Sequence, residues 1–248
     1  MPTFPEPQLA QRHSLAPHAF VCLDGDHVVL LDVRQDRYLA LEEIHSRCLE
    51  TLIPGWPVRA DGAPRGAPNA AEAERVAQLL MARKLLAGNC MQGKDATPVR
   101  IEKPVHGFAP DDYLDRAPLQ FPAVVSFVAA VATARYAARF WPFERLVRRV
   151  KRRNEKHLSP AAQVDLPRLE GLIATFGQLR PFLFASREAC LFESFALLEF
   201  LARHGIYANW VFGVQARPFA AHCWVQQHRV VLNDTVESAS GYTPIMVV

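Results

Sequence analysis

The chain has 248 residues, 50% of them hydrophobic and 21% charged, with a formal net charge of +3. It is long enough to bury a sizeable core and to hold two modest domains, and too apolar for a disordered chain. A charge of +3 is too small to imply nucleic acid, and five cysteines (Cys22, Cys48, Cys90, Cys190, Cys223) without paired C-x-x-C spacing argue against a disulfide framework or a zinc ribbon. Met1 to Pro5 lack the charged start and apolar run of a secretory signal, so the expected location is the reducing cytoplasm.

The first strand candidates, 19–23 and 27–33, flank Asp24-Gly25-Asp26, a hairpin-turn sequence. A third, 37–41, follows the polar turn Arg34-Gln35-Asp36. Helices are expected near 41–53 and 70–86, the second anchored by Val76, Leu79, Leu80 and Leu85. The run from Val28 to Leu41, VVLLDVRQDRYLAL, resembles the strand-turn-strand signature of PqqD-like peptide-recognition elements, which are small winged-helix modules. The resemblance implies that a leader peptide adds as a strand along the third strand, against the last helix. An exposed edge then supplies backbone groups for affinity, and neighbouring pockets supply specificity. Tyr38, Leu39, Leu80 and Arg83 are the groove candidates, although Tyr38, Leu39 and Leu80 read equally well as core. A DNA-binding winged helix needs several base-reading cations on its last helix, and Arg75, Arg83 and Lys84 are a thin set.

The turn-rich loop 55–69 precedes the second helix, and the stretch 89–118 shows little periodicity. These features predict an N-terminal domain over 1–90, a linker over 91–120 and a C-terminal domain over 121–248. Asp111, Asp112 and Asp115 in the linker read as solvated charges. Residues 123–134 form a nearly apolar run, interrupted by Arg135 and Arg139, that reads as a buried helix too short to cross a bilayer. Arg145, Arg148, Arg149, Lys151, Arg152 and Arg153 then alternate with an apolar stripe of Phe143, Leu146, Val147 and Val150. This predicts an amphipathic helix whose cationic face meets water, or else a partner or an anionic membrane surface.

Cys190 opens an unusually apolar run that ends at Gly205, the pattern of a buried helix with a glycine stop. In the first turn of such a helix the positive end of the macrodipole favours the thiolate, and Ser186 with Glu188 is a plausible cap. Downstream, 221–226 and 229–234 read as a hairpin turning near His228. That register sets His222 opposite Asp234, close enough for a carboxylate to orient an imidazole. Trp224 shares the face of His222, whereas Cys223 points the other way. Cys190, His222 and Asp234 thus offer a nucleophile, a base and an orienter. Taken singly, each also has a plain structural role, Cys190 as a small buried hydrophobe above all.

The wording around these residues resembles the lasso-peptide B proteins, transglutaminase-like leader peptidases of lasso-peptide biosynthesis. The matching stretches are Leu179 to Leu183, Ala189 to Leu191, Leu197 to Ile206, Phe212 to Val225 with its "GV…PF.AHAWV" pattern, and Val231 to Asp234. Cys223 departs from that pattern, which has a small Ala there, and reads as a tolerated packing variant. The resemblance implies an α+β chain, with a winged-helix PqqD-like domain followed by a transglutaminase-like, papain-like cysteine peptidase domain. It further implies removal of a leader from a lasso precursor peptide, with an ATP-dependent asparagine-synthetase-like cyclase as partner and neither metal nor organic cofactor for the hydrolysis. Backbone N–H groups at the start of the Cys190 helix are candidate oxyanion donors, with Gln178 a conceivable side-chain donor. The same triad would also serve an acyl transferase, and a noncatalytic precursor-binding scaffold is the remaining alternative. A metal site on Cys190, His222 and Cys223 ranks last, because adjacent strand residues face opposite ways.

Overall fold

A computed structural model of the chain describes residues 12–58, 70–87, 92–108, 119–157, 165–182 and 190–248. By contacts the chain divides into two compact units, Met1–Val33 with Arg37–Pro98, and Arg34–Asp36 with Val99–Val248. It mixes helices and strands.

In the first unit β1 (Ser14–Leu15) precedes an antiparallel meander of β2 (Ala19–Asp24), β3 (His27–Asp32) and β4 (Arg37–Glu42). Gly25, the first of the two residues joining β2 and β3, has φ +56°, the positive value that a mirror-image hairpin turn needs there. The helix expected over 41–53 is shorter: α1 (Glu43–Arg47) gives way to successive turns, which put Leu49, Leu52 and Ile53 in the core. The helix expected over 70–86 is α2 (Ala70–Ala82). Lys84, at φ +61°, ends it, and Leu86 continues into β5 (Leu86–Ala87), antiparallel to β1. Ala73, Ala77 and Leu80 form its buried side, whereas Leu79, expected as an anchor, is 48% exposed.

The expected linker makes backbone pairs at two places, although residues 95–105 between them have no regular secondary structure. Lys94 bridges to Leu15 in the first unit, and β6 (His106–Gly107) belongs to the main sheet of the second. Backbone pairing captured a stretch whose composition gave no periodicity. Asp111, Asp112 and Asp115 lie outside the described residues.

The second unit continues with α3 (Phe121–Phe140), α4 (Phe143–His157), α5 (Leu166–Leu179) and α6 (Cys190–Arg203), and then β7 (Asn209–Gln215) and β8 (Ala220–Gln227). It closes with β9 (Val230–Val231), α7 (Val236–Ser240) and β10 (Thr243–Val247). The sheet runs β10-β7-β8-β9-β6, antiparallel except where β6 pairs β9. Residues 193–201 of α6 are all buried, as their apolarity predicts. Phe127 of α3, Phe176 of α5 and Phe200 of α6 pack ring on ring, with centroids 5.2–6.3 Å apart. Gly205, at φ +74°, ends α6, and the N–H of Ile206 returns to the carbonyl of Leu201 at 3.0 Å. Helix α4 is amphipathic as expected, but not all its cations face water. Arg149 and Arg153 both turn inward onto the buried carboxylate of Glu199, at 2.7–3.0 Å.

Candidate active site

Cys190 is the first residue of α6 and is partly buried. Residues 183–189 lie outside the described chain, and with them the Ser186 cap. The other end of the site is carried by β8, which packs against α6. Two ties fix the junction: the Ser194 hydroxyl donates to the carbonyl of Cys223 at 3.3 Å and accepts from Asn233 Nδ2 at 3.0 Å. Ser194 stands one turn after Cys190, so the same bonds fix the height of the thiol against β8.

His222 and Asp234 meet as expected, with Nε2 2.6 Å from Oδ2, but by a different route. The hairpin register is Gln226 with Val231 and Gln227 with Val230, and β9 stops at Val231. The strand expected over 229–234 fails because the Asn233 side chain replaces the backbone partner: its Oδ1 accepts from the Val225 N–H at 2.8 Å. Asp234 therefore sits in the bend before α7. It accepts from the Thr235 N–H at 2.8 Å and from the Ser238 hydroxyl at 2.9 Å. Thr235 in turn caps α7 by accepting from the Ser238 N–H at 3.1 Å.

The imidazole is flanked by two rings. Trp224 stacks at 6.1 Å between centroids, as strand alternation suggested, and Tyr242 lies at 5.1 Å, which the sequence reading missed. Gly213 pairs with His222 across β7 and β8. A Cβ on Gly213 would stand 2.8 Å from both the Trp224 ring and Tyr242. An isolated glycine inside a strand was the available signal for that close approach. Gly107 makes similar room at the carboxylate end, where a Cβ would meet the Asp234 carbonyl at 2.9 Å.

The electrostatics set Cys190 apart from the other cysteines among the described residues. Burial, helped by Asp24, pushes the Cys22 thiol up to about 12. Cys190 goes the other way, lowered to about 4 by a hydrogen bond from the Cys223 thiol and by contact with His222, which together overcome burial. Burial depresses His222, but its bonds to Asp234 and Cys190 and their charges prevail and raise it to about 9. Asp234 is held below the usual carboxylate range; burial opposes this, and bonds from His222, Ser238 and the Thr235 N–H outweigh it. Cys223 rises well above an ordinary thiol through burial and the neighbouring Cys190 charge. It does point away from His222 along the strand, yet it meets the Cys190 sulfur and lies 3.9 Å from the Ser194 oxygen. Between about pH 4 and 9 the pair is therefore a thiolate beside an imidazolium.

Below the thiol, Glu193 pairs with Arg180 at 2.9 Å. Its pKa is nonetheless raised, first by burial and then by the charges of Cys190 and Asp234, with Arg180 opposing. Gln178 stands near the end of α5. In the first unit Tyr38 and Leu39 are half-buried on β4 and Arg83 is exposed just past α2. Leu80, expected in the groove, is instead wholly buried in the core between Ala77 and Leu85, so it presents no surface to a peptide.

Residues 128–247 match the transglutaminase-like superfamily, so the C-terminal part of the chain carries a transglutaminase-like domain. Members of that superfamily are typically cysteine-dependent enzymes, and the fold is consistent with a papain-like cysteine peptidase or an acyltransferase. No curated protein and no solved structure matches the chain.

Proposed function

We propose that the transglutaminase-like domain is a cysteine peptidase that removes the leader from a lasso-peptide precursor, with Cys190, His222 and Asp234 as its catalytic residues. The observation that carries the catalytic part of this reading is geometric: the thiol at the start of α6 meets an imidazole whose Nε2 lies 2.6 Å from Asp234 Oδ2, an arrangement that lowers the thiol to about 4 and raises the imidazole to about 9. A structural thiol buried beside nothing reactive behaves like Cys22 instead.

The chemistry then runs in balanced steps. The Cys190 thiolate attacks the carbonyl carbon at the leader–core junction, and the N–H groups of the first turn of α6 face the developing oxyanion. The His222 imidazolium gives its proton to the departing core amine, and the C–N bond breaks to leave the leader as a thioester on Cys190. Neutral His222 next takes a proton from water as the water attacks the thioester. The C–S bond breaks, the leader leaves as a carboxylic acid, and the thiolate–imidazolium pair is restored. With Nε2 bonded to Asp234, Nδ1 is the nitrogen that exchanges protons at the sulfur. The core amine so released is what an asparagine-synthetase-like cyclase would join to a side-chain carboxyl.

In the same reading the N-terminal unit is a PqqD-like winged-helix module that holds the leader as a fourth strand on β4. Support comes from the meander order β2-β3-β4, in which β4 is an edge, and from Tyr38 and Leu39, half-buried on that strand; Arg83 is exposed just past α2. Mass spectrometry of a lasso precursor incubated with wild type or Cys190→Ala, with and without the cyclase, tests the proposal. Leader loss with wild type and none with the variant is expected. Equal cleavage by both would remove Cys190 from the mechanism. A product heavier than the hydrolysed leader by an amine acceptor would make the enzyme an acyl transferase, and an uncleaved, tightly bound precursor throughout would make it a scaffold.

A further inference from the structure

Helix α3 spans 20 residues, about 30 Å at 1.5 Å each. Its inner face is committed: Ala123, Phe127, Ala130, Val131, Ala134 and Ala137 are buried, and it packs on α5 and α6. Arg203 of α6 adds a bond to Thr133 Oγ1 at 3.1 Å. The outer face is exposed and largely apolar, with Arg135 and Arg139 toward its C-terminal end. Phe121, Val125, Val128, Tyr136 and Phe140 recur at helical spacing and are exposed by between 50% at Val125 and 80% at Phe121. The buried helix expected from the sequence is thus only half buried, and it leaves an apolar row running its whole length. Helix α3 is long and apolar enough to cross a membrane, but its inner face belongs to the domain core.

The C-terminal end of this row merges with a cationic surface. Tyr136 lies 4.9 Å from Phe140 and 6.3 Å from Trp141, ring to ring. Arg145 covers the Trp141 ring at 4.2 Å, and Arg139 lies 5.5 Å from Phe140. From there Arg148, Lys151, Arg152 and Lys156 stand exposed along α4. Between Arg135 and Lys156 the sequence has nine Lys and Arg. Arg149 and Arg153 are held by Glu199, Arg148 pairs with Glu144 at 2.7 Å and Lys151 with Glu155 at 3.8 Å. Arg135, Arg139, Arg145, Arg152 and Lys156 are further exposed cations. With +3 for the whole chain, the positive charge is concentrated on this one segment.

We propose that the outer face of α3 with the cationic face of α4 is a peripheral docking surface for an anionic phospholipid bilayer. The charge, the apolar row and the aromatic cluster between them match what an interface offers. Phe and Val meet the acyl boundary, Tyr136 and Trp141 sit at headgroup depth, and the cations meet lipid phosphates. The long stems of Arg135 and Arg139, within the row, let their charges reach the headgroups. A nucleic acid would gain nothing from a 30 Å row of Phe and Val. A second copy presenting the same surface would meet the α4 cations with only Glu144 and Glu155, which Arg148 and Lys151 already hold.

The test is co-sedimentation of the full chain with phosphatidylcholine vesicles, alone or with about one third phosphatidylglycerol, at low and raised salt. Two variants accompany it: Val125→Ser with Val128→Ser, and Lys151→Gln with Arg152→Gln. All four positions are exposed, so the unfolding temperature should barely move. Wild type is expected to sediment with the anionic vesicles only. The lysine–arginine pair should weaken partitioning roughly twenty-five-fold, at about a fivefold loss per cation, and the valine pair should abolish it. No binding by wild type overturns the proposal. So does binding that the valine pair leaves intact, because the apolar face would then have no part in it. A concentration-dependent dimer that the valine pair dissolves, without vesicle binding, would assign the face to a second copy and overturn it too.

Discussion

Cys190 and His222 are useful together only while the sulfur is charged and the imidazole protonated. With the thiol lowered to about 4 and the imidazole raised to about 9, kcat/KM should trace a bell with limbs near those values. Below the acid limb the thiolate is protonated, and above the basic limb the imidazolium is lost. In Asp234→Asn the carboxylate charge that holds the imidazolium is gone, so the basic limb should move down toward that of an ordinary histidine. The rate should fall by about 10²–10⁴. Cys223 acts on the other limb. Its thiol is the strongest influence lowering Cys190, so Cys223→Ala should shift the acid limb upward. The pH dependence of iodoacetamide alkylation at Cys190 reads this directly, and an unchanged profile would reduce Cys223 to packing. Strand alternation gave the side of β8 on which Cys223 lies, but not its meeting with Cys190. That meeting depends on the height of α6 against β8, which the Ser194 and Asn233 bonds set.

Elements place these residues through a few positions whose size or charge admits little substitution. Gly213→Ala would put a Cβ 2.8 Å from Trp224 and Tyr242, forcing apart the rings that flank His222. A cost of about 1–3 kcal/mol in stability is expected, with a loss of activity beyond it, measured by thermal melts beside kcat/KM. Glu199→Gln tests the tie between α4 and α6. It strands Arg153, mostly buried, and Arg149, about half exposed, so the chain should lose about 3 kcal/mol in a urea titration. The meander, α6 and the glycine stop at Gly205 were legible in the sequence because their signals are local: a two-residue turn, an apolar helical run, a positive φ. What escaped depends on partners distant in the chain. β6 forms only because β9 accepts it in parallel, and Asp234 leaves the strand because Asn233 takes over a backbone bond. The open face of α3 was hidden for a related reason, since an apolar run reads the same whether one side or both are covered.

For the whole molecule, the proposed division of labour has a kinetic consequence. If the N-terminal unit holds the leader while Cys190 cuts at the junction, the leader works as a tether that raises the effective concentration of the scissile bond at the thiol. A short flexible connection supplies on the order of millimolar. A precursor shortened at its N-terminus, with the junction intact, should therefore lose kcat/KM chiefly through KM, because the thiolate and imidazolium are untouched. Adding the missing leader as a separate peptide should not restore cleavage. It should inhibit cleavage of the full precursor competitively, since it occupies the groove without delivering a bond. Cys190→Ala should bind a labelled leader as tightly as wild type by fluorescence anisotropy, whereas Tyr38→Ala with Arg83→Glu should weaken that binding and leave the alkylation rate of Cys190 unchanged. Rescue by free leader would point to an allosteric effect on the thiol instead of a tether. Binding indifferent to Tyr38 and Arg83 would move the leader off β4.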